Sequence, residues 1–162
     1  QFSSALEQFE SVVNFDGGEL EEQYQKLRGE LQESEERADE VRKRIDAVDD
    51  VAGALFDEWE DELGQYSNEA LREKSRQKLD GTRARYRPMI ESMRRAEEKM
   101  EPVLTAFRDQ VLFLKHNLNA KAVASLKGEF ASVETDVRAL MRDMEASIAE
   151  ADAFIRTLDS AG

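Results

Sequence analysis

Residues 103–119, which read VLTAFRDQVLFLKHNLN, form the most apolar stretch of this 162-residue chain. A helix built from them carries apolar side chains on more than one face, so it is expected to be covered from several sides. Those side chains are Val103, Leu104, Phe107, Val111, Leu112, Phe113, Leu114 and Leu118. The stretch therefore predicts a central helix against which the other helices pack.

The segments around this stretch repeat a helical spacing, and we call the apolar stripe of each long helix its seam. From Leu20 to Trp59 the seam alternates steps of three and four residues, and only Ser34 interrupts its apolar character. A heptad pattern of this length is typical of long helices that pack as a coiled coil. Turn-forming residues divide the pattern at residues 14–18, 64–68 and 117–119. Helices are thus predicted at about residues 1–13, 19–63, 69–117 and 120–159.

The turns between these helices are short, which favours antiparallel neighbours. The predicted fold is all-α, one domain over residues 1–162: an elongated antiparallel helical bundle of three long coiled-coil-like helices with a short N-terminal helix at one end. That first helix is too short to span the bundle, so it adds a fourth layer at one end only. Pro88 and Pro102 are expected to bend the third helix without ending it, because the seam continues across both.

Composition argues against several classes of partner. A net charge of −13 disfavours nucleic acid, whose phosphates attract basic surfaces, and docking on anionic lipid. With no cysteine, neither a disulfide nor thiolate chemistry is expected. No segment reaches the roughly 18 apolar residues of a membrane span, so we expect no direct membrane insertion by this segment. Because the chain begins at Gln1, an upstream segment is expected.

Neither the acidic cluster of the second helix nor the one histidine predicts a reactive site. The cluster falls at residues 57–62, where a helix spreads carboxylates over more than half of its circumference, so a solvated or ion-paired face explains it better than a calcium or magnesium site. His116 has no nucleophile and no second histidine in a motif with it, and a cation in the last turn of a helix is the simpler interpretation. We predict no catalytic, cofactor-binding or metal site, and no enzyme.

A basic run between Arg72 and Arg95 invites a nucleic-acid interpretation. The second helix is strongly acidic, however, and the turn at 64–68 brings the two segments side by side, so mutual neutralisation is the preferred interpretation. We predict that four arginines lie close to acids between Asp46 and Glu62. They are Arg72, Arg76, Arg83 and Arg87.

Two turns are expected to meet at one end of the bundle and to form a small cap there. Its residues are Phe15, Asp16, Lys115, His116, Asn117 and Asn119. One interpretation is structural: Asp16 and the asparagines cap helices, and Phe15 seals the seam. The other is a docking surface for a partner in the cell envelope, because the long sides of the bundle offer few apolar anchors.

Three phrases of the sequence are distinctive: VVNFDGGELEEQY, ALFDEWEDELGQYSN and MEPVLTAFRDQVLFLKHNLNA. Together they resemble a bacterial family, the domain of unknown function 2959, over nearly the whole chain. The resemblance implies a helical protein of Gram-negative bacteria whose longer forms begin with a lipoprotein-like signal. It therefore implies a periplasmic domain with a lipid anchor upstream, and it brings no known activity or cofactor.

Three functions remain open at this point. The first is a non-enzymatic structural or protein-interaction domain, a spacer or scaffold of the bacterial cell envelope, acting through a protein partner or self-association. The alternative is a helical bundle that binds a small molecule or lipid, and the third is an enzyme with an unrecognised carboxylate site. A ligand cavity needs small or polar residues on facing helices. Such residues are found at Ser34, Ala38, Ser75 and Thr82.

Overall fold

The computed structural model describes residues 1–14 and 20–160, and within that range the regular structure is entirely helical. The described residues form five helices: α1 (Phe2–Val13), α2 (Leu20–Leu63), α3 (Glu69–His116), α4 (Ala120–Ser125) and α5 (Lys127–Ser160). The predicted all-α helical bundle is confirmed.

The prolines do not end α3, which continues without interruption past Pro88 and Pro102 to His116. Proline removes one backbone donor, but a long helix held by packing on its seam tolerates that loss.

The predicted fourth helix differs from the structure, because it is divided at Leu126 into α4 and α5. The Leu126 N–H donates to the carbonyl of Val123 at 3.1 Å, three residues back, which tightens the last turn of α4. The Ser125 hydroxyl donates to the carbonyl of Ala122 at 2.6 Å, competing with the backbone for that acceptor. Leu126 itself is buried, so the turn is held from the core side.

The contacts of the chain divide it into two compact units, each built from parts of α2, α3 and α5. Unit 1 comprises residues 1–41 and 96–142, and it contains α1 and α4. Unit 2 comprises residues 42–95 and 143–162. The prediction of a single domain stays a prediction.

Unit 1 is organised around α1, whose apolar stripe is buried. The Phe9 ring meets Phe107 of α3 at 6.1 Å and Phe130 of α5 at 5.5 Å, both edge to face. On the α2 side, the Gln8 side chain donates to the side-chain oxygen of Gln23 at 2.8 Å. One short helix therefore contacts all three long helices and closes the core of this unit.

The seam of unit 1 is buried along all three long helices. Its buried members include Tyr24, Leu27, Leu31, Ser34 and Ala38 of α2, Val103, Phe107, Val111 and Leu114 of α3, and Val133, Val137 and Leu140 of α5. The most apolar stretch is not covered on every side, however, because Leu112 and Phe113 are exposed. Among the described residues, the part of α3 that carries these two side chains is therefore open to solvent.

Unit 2 has a smaller core, made by three helices only. Its buried members are Phe56, Leu63, Leu79, Tyr86 and Met89. The Trp59 indole N–H donates to the Ser75 hydroxyl at 2.8 Å, tying α2 to α3. The seam positions of α2 and α5 do not follow the unit 1 pattern: Val48, Leu55, Ile148 and Ile155 are exposed.

Candidate functional site

The exposed seam of unit 2 borders an open apolar groove with a volume of about 450 Å³. Its floor is formed by buried side chains of α3 with Phe56, and its walls by α2 and α5. The lining residues are Ala47, Val48, Val51, Ala52, Leu55, Phe56, Thr82, Tyr86, Met89, Phe154 and Leu158.

The floor of the groove is an ordered aromatic cluster. The Tyr86 ring lies 5.5 Å from Phe56 and 5.8 Å from Phe154, edge to face in both pairs. Its hydroxyl donates to a carboxylate oxygen of Asp49 at 2.9 Å, and the other oxygen of Asp49 accepts from Arg94 at 3.3 Å. Burial, followed by this hydrogen bond, raises the pKa of Tyr86 well above its ordinary value. These ring contacts and the hydrogen bond connect Tyr86 of α3 to α2 and α5.

The walls, by contrast, leave large apolar side chains in water. Val51 is 70% exposed and Leu55 is 54% exposed on α2, while Ile155, beside the groove on α5, is 53% exposed. Isolated exposed leucines are common, but a contiguous apolar surface around a groove marks a binding site.

A second cavity, of about 500 Å³, lies in unit 1 and has a different character. It combines apolar and charged side chains: Tyr24, Arg28, Leu31, Arg108, Asp109, Val111, Leu112 and Lys115. Arg108 is held by two carboxylates, those of Glu101 and Glu35, which raise its pKa by hydrogen bonding. Arg28 and Lys115 are exposed at this cavity.

The cap predicted from the sequence is only partly described. Phe15 and Asp16 lie outside the described residues. Lys115 and His116 are exposed in the last turn of α3. The Asn117 side chain donates to the carbonyl of Phe113 at 2.8 Å, ending that helix.

Asn119, the remaining cap residue, serves the structural role that the sequence suggested. Its side-chain oxygen accepts from the Ala122 N–H at 2.9 Å and caps α4. Lys115, which is another cap residue, lines the cavity of unit 1.

The predicted ion pairing between α2 and α3 occurs, with partly different partners. Arg83 contacts Glu60 at 2.7 Å as predicted, and its guanidinium also lies 5.5 Å from the centre of the Phe56 ring. Arg72 instead pairs with Glu69 of its own helix, three residues away. For Arg76 and Arg87 the pairing stays a prediction.

Arg94 was missed as an ion-pairing residue, although it belongs to the same basic run. It contacts Asp46 at 2.8 Å and Asp49 at 3.3 Å. Arg94 lies five residues beyond the floor residue Met89, and it could not be matched to an acid without knowing the register of the helices.

Three of the four small or polar seam residues make hydrogen bonds, and one of them, Thr82, also lines the groove of unit 2. Ser34 and Thr82 donate to carbonyls one turn back on their own helices, those of Glu30 and Lys78, both at 2.8 Å. The Ser75 hydroxyl accepts a hydrogen bond from the Trp59 indole N–H. Within residues 1–14 and 20–160, no three acidic or histidine side chains converge as a metal site would require.

Comparison with known proteins places the chain in one family. A family model described as "Protein of unknown function (DUF2959)" matches residues 1–158. The chain belongs to the DUF2959 family. No curated protein and no solved structure matches this DUF2959 chain. Across the part of the chain that the structure describes, no helix has the length and apolar character of a membrane span.

The groove was not predicted from the sequence, although one signal pointed to it. The first helix of this DUF2959 chain has 12 residues, whereas α2 has 44. A short helix can cover the long seam near one end only, so the opposite part of the seam must stay exposed or find another cover.

Proposed function

We propose that this DUF2959 chain is a non-enzymatic protein-interaction domain of the bacterial cell envelope, and that the groove of unit 2 is its docking surface. The observation that carries the proposal is the exposed apolar wall formed by Val51 and Leu55 beside an ordered aromatic floor. Leaving these side chains in water costs roughly 25 cal/mol per Å² of apolar surface, a cost that a docked partner removes.

The chemistry of the lining favours binding over catalysis. Its two hydroxyl groups are both engaged, Thr82 with the carbonyl of Lys78 and Tyr86 with Asp49. The raised pKa of Tyr86 keeps its phenol protonated, so it is unsuited to act as a base near neutral pH. An apolar lining without a free nucleophile or base suits recognition of an apolar surface.

The cell envelope is proposed because of the resemblance of the sequence to a lipoprotein-like bacterial family. In that setting a lipid anchor upstream would hold the domain in the periplasm, and the groove would face proteins of the same compartment. Tethering two proteins to one membrane raises their effective concentration, so a modest affinity suffices.

Site-specific photo-crosslinking in cells of the native host tests this proposal. The photoreactive residue p-benzoylphenylalanine replaces Leu55 in the groove or, as a control, Leu71, which is also about half exposed but lies outside the groove. We expect adducts of discrete protein mass from position 55 alone, and their loss when Val51→Asp is added. The same adducts from both positions, or lipid adducts alone from position 55, would overturn the proposal.

The unit 1 cavity favours the alternative function, binding of a small molecule or lipid. Apolar side chains such as Tyr24 and Leu31 lie there beside the cations Arg28 and Lys115, an arrangement that suits an amphiphile with a negative head group. Titration with oleate, followed by fluorescence displacement of a bound dye, tests this function. We expect Arg28→Glu with Lys115→Glu to weaken oleate binding at least about tenfold, which is the effect of losing about 1.4 kcal/mol. Equal binding by this variant and the parent chain would exclude this cavity as the site.

A further inference from the structure

We propose that the occupant of the unit 2 groove is a single amphipathic helix of a different protein, with an apolar stripe flanked by lysine or arginine. This inference rests on the proposed function and specifies the chemistry of the partner. Two independent observations support it: the way α1 completes unit 1, and the charge of the groove's rims.

The comparison with α1 identifies the shape of the occupant. In unit 1 a helix of 12 residues contacts α2, α3 and α5 together, and Phe9 fills the space between the rings of Phe107 and Phe130. Unit 2 presents the same three helices around its groove, and residues 1–14 and 20–160 supply no fourth helix there. A helix with apolar residues at spacings of three and four therefore fits the groove as α1 fits unit 1.

The rims of the groove identify the charge of the occupant. On α2, Glu58 and Glu62 follow Leu55 by three and seven residues, so they extend the exposed face of that helix. On α5, Asp152 and Asp159 flank Ile155 at three residues before and four after. Helical geometry thus sets carboxylates beside both apolar walls. The exposed charged residues of the rims are Arg44, Glu58, Glu62, Glu145, Asp152, Arg156 and Asp159.

This excess of acids selects among possible occupants. In a symmetric dimer formed through the groove, each acidic rim would face an acidic rim of the other copy, which opposes association. An anionic membrane is disfavoured for the same reason, and the whole chain carries a net charge of −13. A helix whose apolar stripe is bordered by basic residues would cover the apolar walls and place its cations beside the acidic rims. Oppositely charged residues pair in the same way at the flanks of a coiled-coil seam.

The test uses the whole chain and two synthetic helical peptides as probes. The peptides share one leucine stripe at heptad spacing and differ only in their flanking residues, which are all lysine or all glutamate. Binding is measured by fluorescence anisotropy. We expect the lysine-flanked peptide to bind about tenfold more tightly or better at low salt, with a difference that shrinks at about 1 M salt.

Variants locate the binding and its charge preference. Val51→Asp should weaken the lysine-flanked peptide strongly, while Leu71→Asp, an exposed control outside the groove, should leave its affinity unchanged. Glu58→Lys with Asp152→Lys should abolish the preference for lysine flanks. The matched control is Asp57→Lys with Glu91→Lys, which makes the same charge change on exposed faces that turn away from the groove.

Two outcomes would overturn the inference: equal binding of both peptides, or self-association of the chain that Val51→Asp removes. Its failure is distinguishable from failure of the proposed function. If position 55 crosslinks to a protein but the peptides show no charge preference, only the inference is lost. If position 55 yields no protein adduct, the proposed function is lost, whatever the peptides show.

Discussion

Unit 1 and unit 2 are built from the same three long helices, yet they differ in how much of the heptad seam they bury. Leu31 and Leu55 both occupy seam positions of α2; Leu31, in unit 1, is 7% exposed, and Leu55, in unit 2, is 54% exposed. Unit 1 contains α1, which contacts α2, α3 and α5, whereas the described part of unit 2 has no counterpart of that helix. The contrast teaches that a heptad seam identifies the apolar face of a helix without specifying what covers that face.

The largest expected effect tests whether α1 closes unit 1. Phe9→Ala removes a fully buried ring from between Phe107 and Phe130 and leaves a cavity, so we expect unfolding to become easier by about 3 to 5 kcal/mol. Chemical denaturation followed by circular dichroism measures this change. Phe113→Ala, at an exposed phenylalanine, is the control and should cost far less. Equal losses would mean that α1 does not complete the core of unit 1.

The second prediction compares the seam directly between the two units. Leu31→Ala should cost about 2 to 5 kcal/mol because its side chain is buried, whereas Leu55→Ala should change stability by less than about 0.5 kcal/mol. Both variants are measured by the same chemical denaturation. They can be compared directly because each removes a leucine side chain from α2. A large loss from Leu55→Ala would show that the groove is covered in the free chain.

The third prediction separates the cap residues by role. Asn119→Ala removes the side-chain acceptor for the Ala122 N–H, and we expect a loss of about 0.5 to 2 kcal/mol. Lys115→Ala with His116→Ala should leave the melting temperature nearly unchanged, because both side chains are exposed. A variant that combines the three alanine substitutions is expected to lose stability through Asn119 alone. A melting temperature unchanged in Asn119→Ala would contradict the capping role.

The smallest effect concerns the ion pairs that join α2 and α3 in unit 2. Arg83→Glu and Arg94→Glu each place a carboxylate near acids, and exposed pairs of this kind contribute only about 0.2 to 1 kcal/mol. The loss should be greatest at low salt and should fade at about 1 M salt, since screening weakens both attraction and repulsion. Arg85→Glu is the control, because it makes the same charge change at an exposed arginine of α3. Losses that do not depend on salt would indicate packing by the arginine stems instead.

Much of the fold followed from periodicity, because each long helix carries its own apolar stripe. The heptads predicted an all-α bundle, and turn residues located the helix ends, including the capping side chain of Asn68 on the Leu71 N–H. The division at Leu126 was not predictable from spacing. Leu126 occupies its expected position in the apolar stripe, although the backbone hydrogen bond there spans three residues. The spacing of apolar residues indicates which way their side chains point. It does not change when one backbone hydrogen bond spans three residues instead of four.

The candidate site was harder to predict, for a different physical reason. Val48 and Leu55 belong to the same heptad pattern as Leu27 and Leu31, so nothing in the local sequence marks them as exposed. Phe56 lies one residue off the predicted seam and is buried where Leu55 is not, which shows that the buried face of α2 turns in unit 2. Which face is buried depends on the number of neighbouring helices, and that number is a tertiary property.

The hydrogen bond from Trp59 to Ser75 has a spectroscopic consequence. Trp59 is the only tryptophan of the chain and lies beside the core of unit 2, so intrinsic tryptophan emission reports on that unit alone. Far-ultraviolet circular dichroism, by comparison, averages over every helix. If the two signals change at different denaturant concentrations, unfolding is not two-state, and the chain melts in stages. A groove ligand that protects unit 2 would then shift the emission midpoint more than the dichroism midpoint.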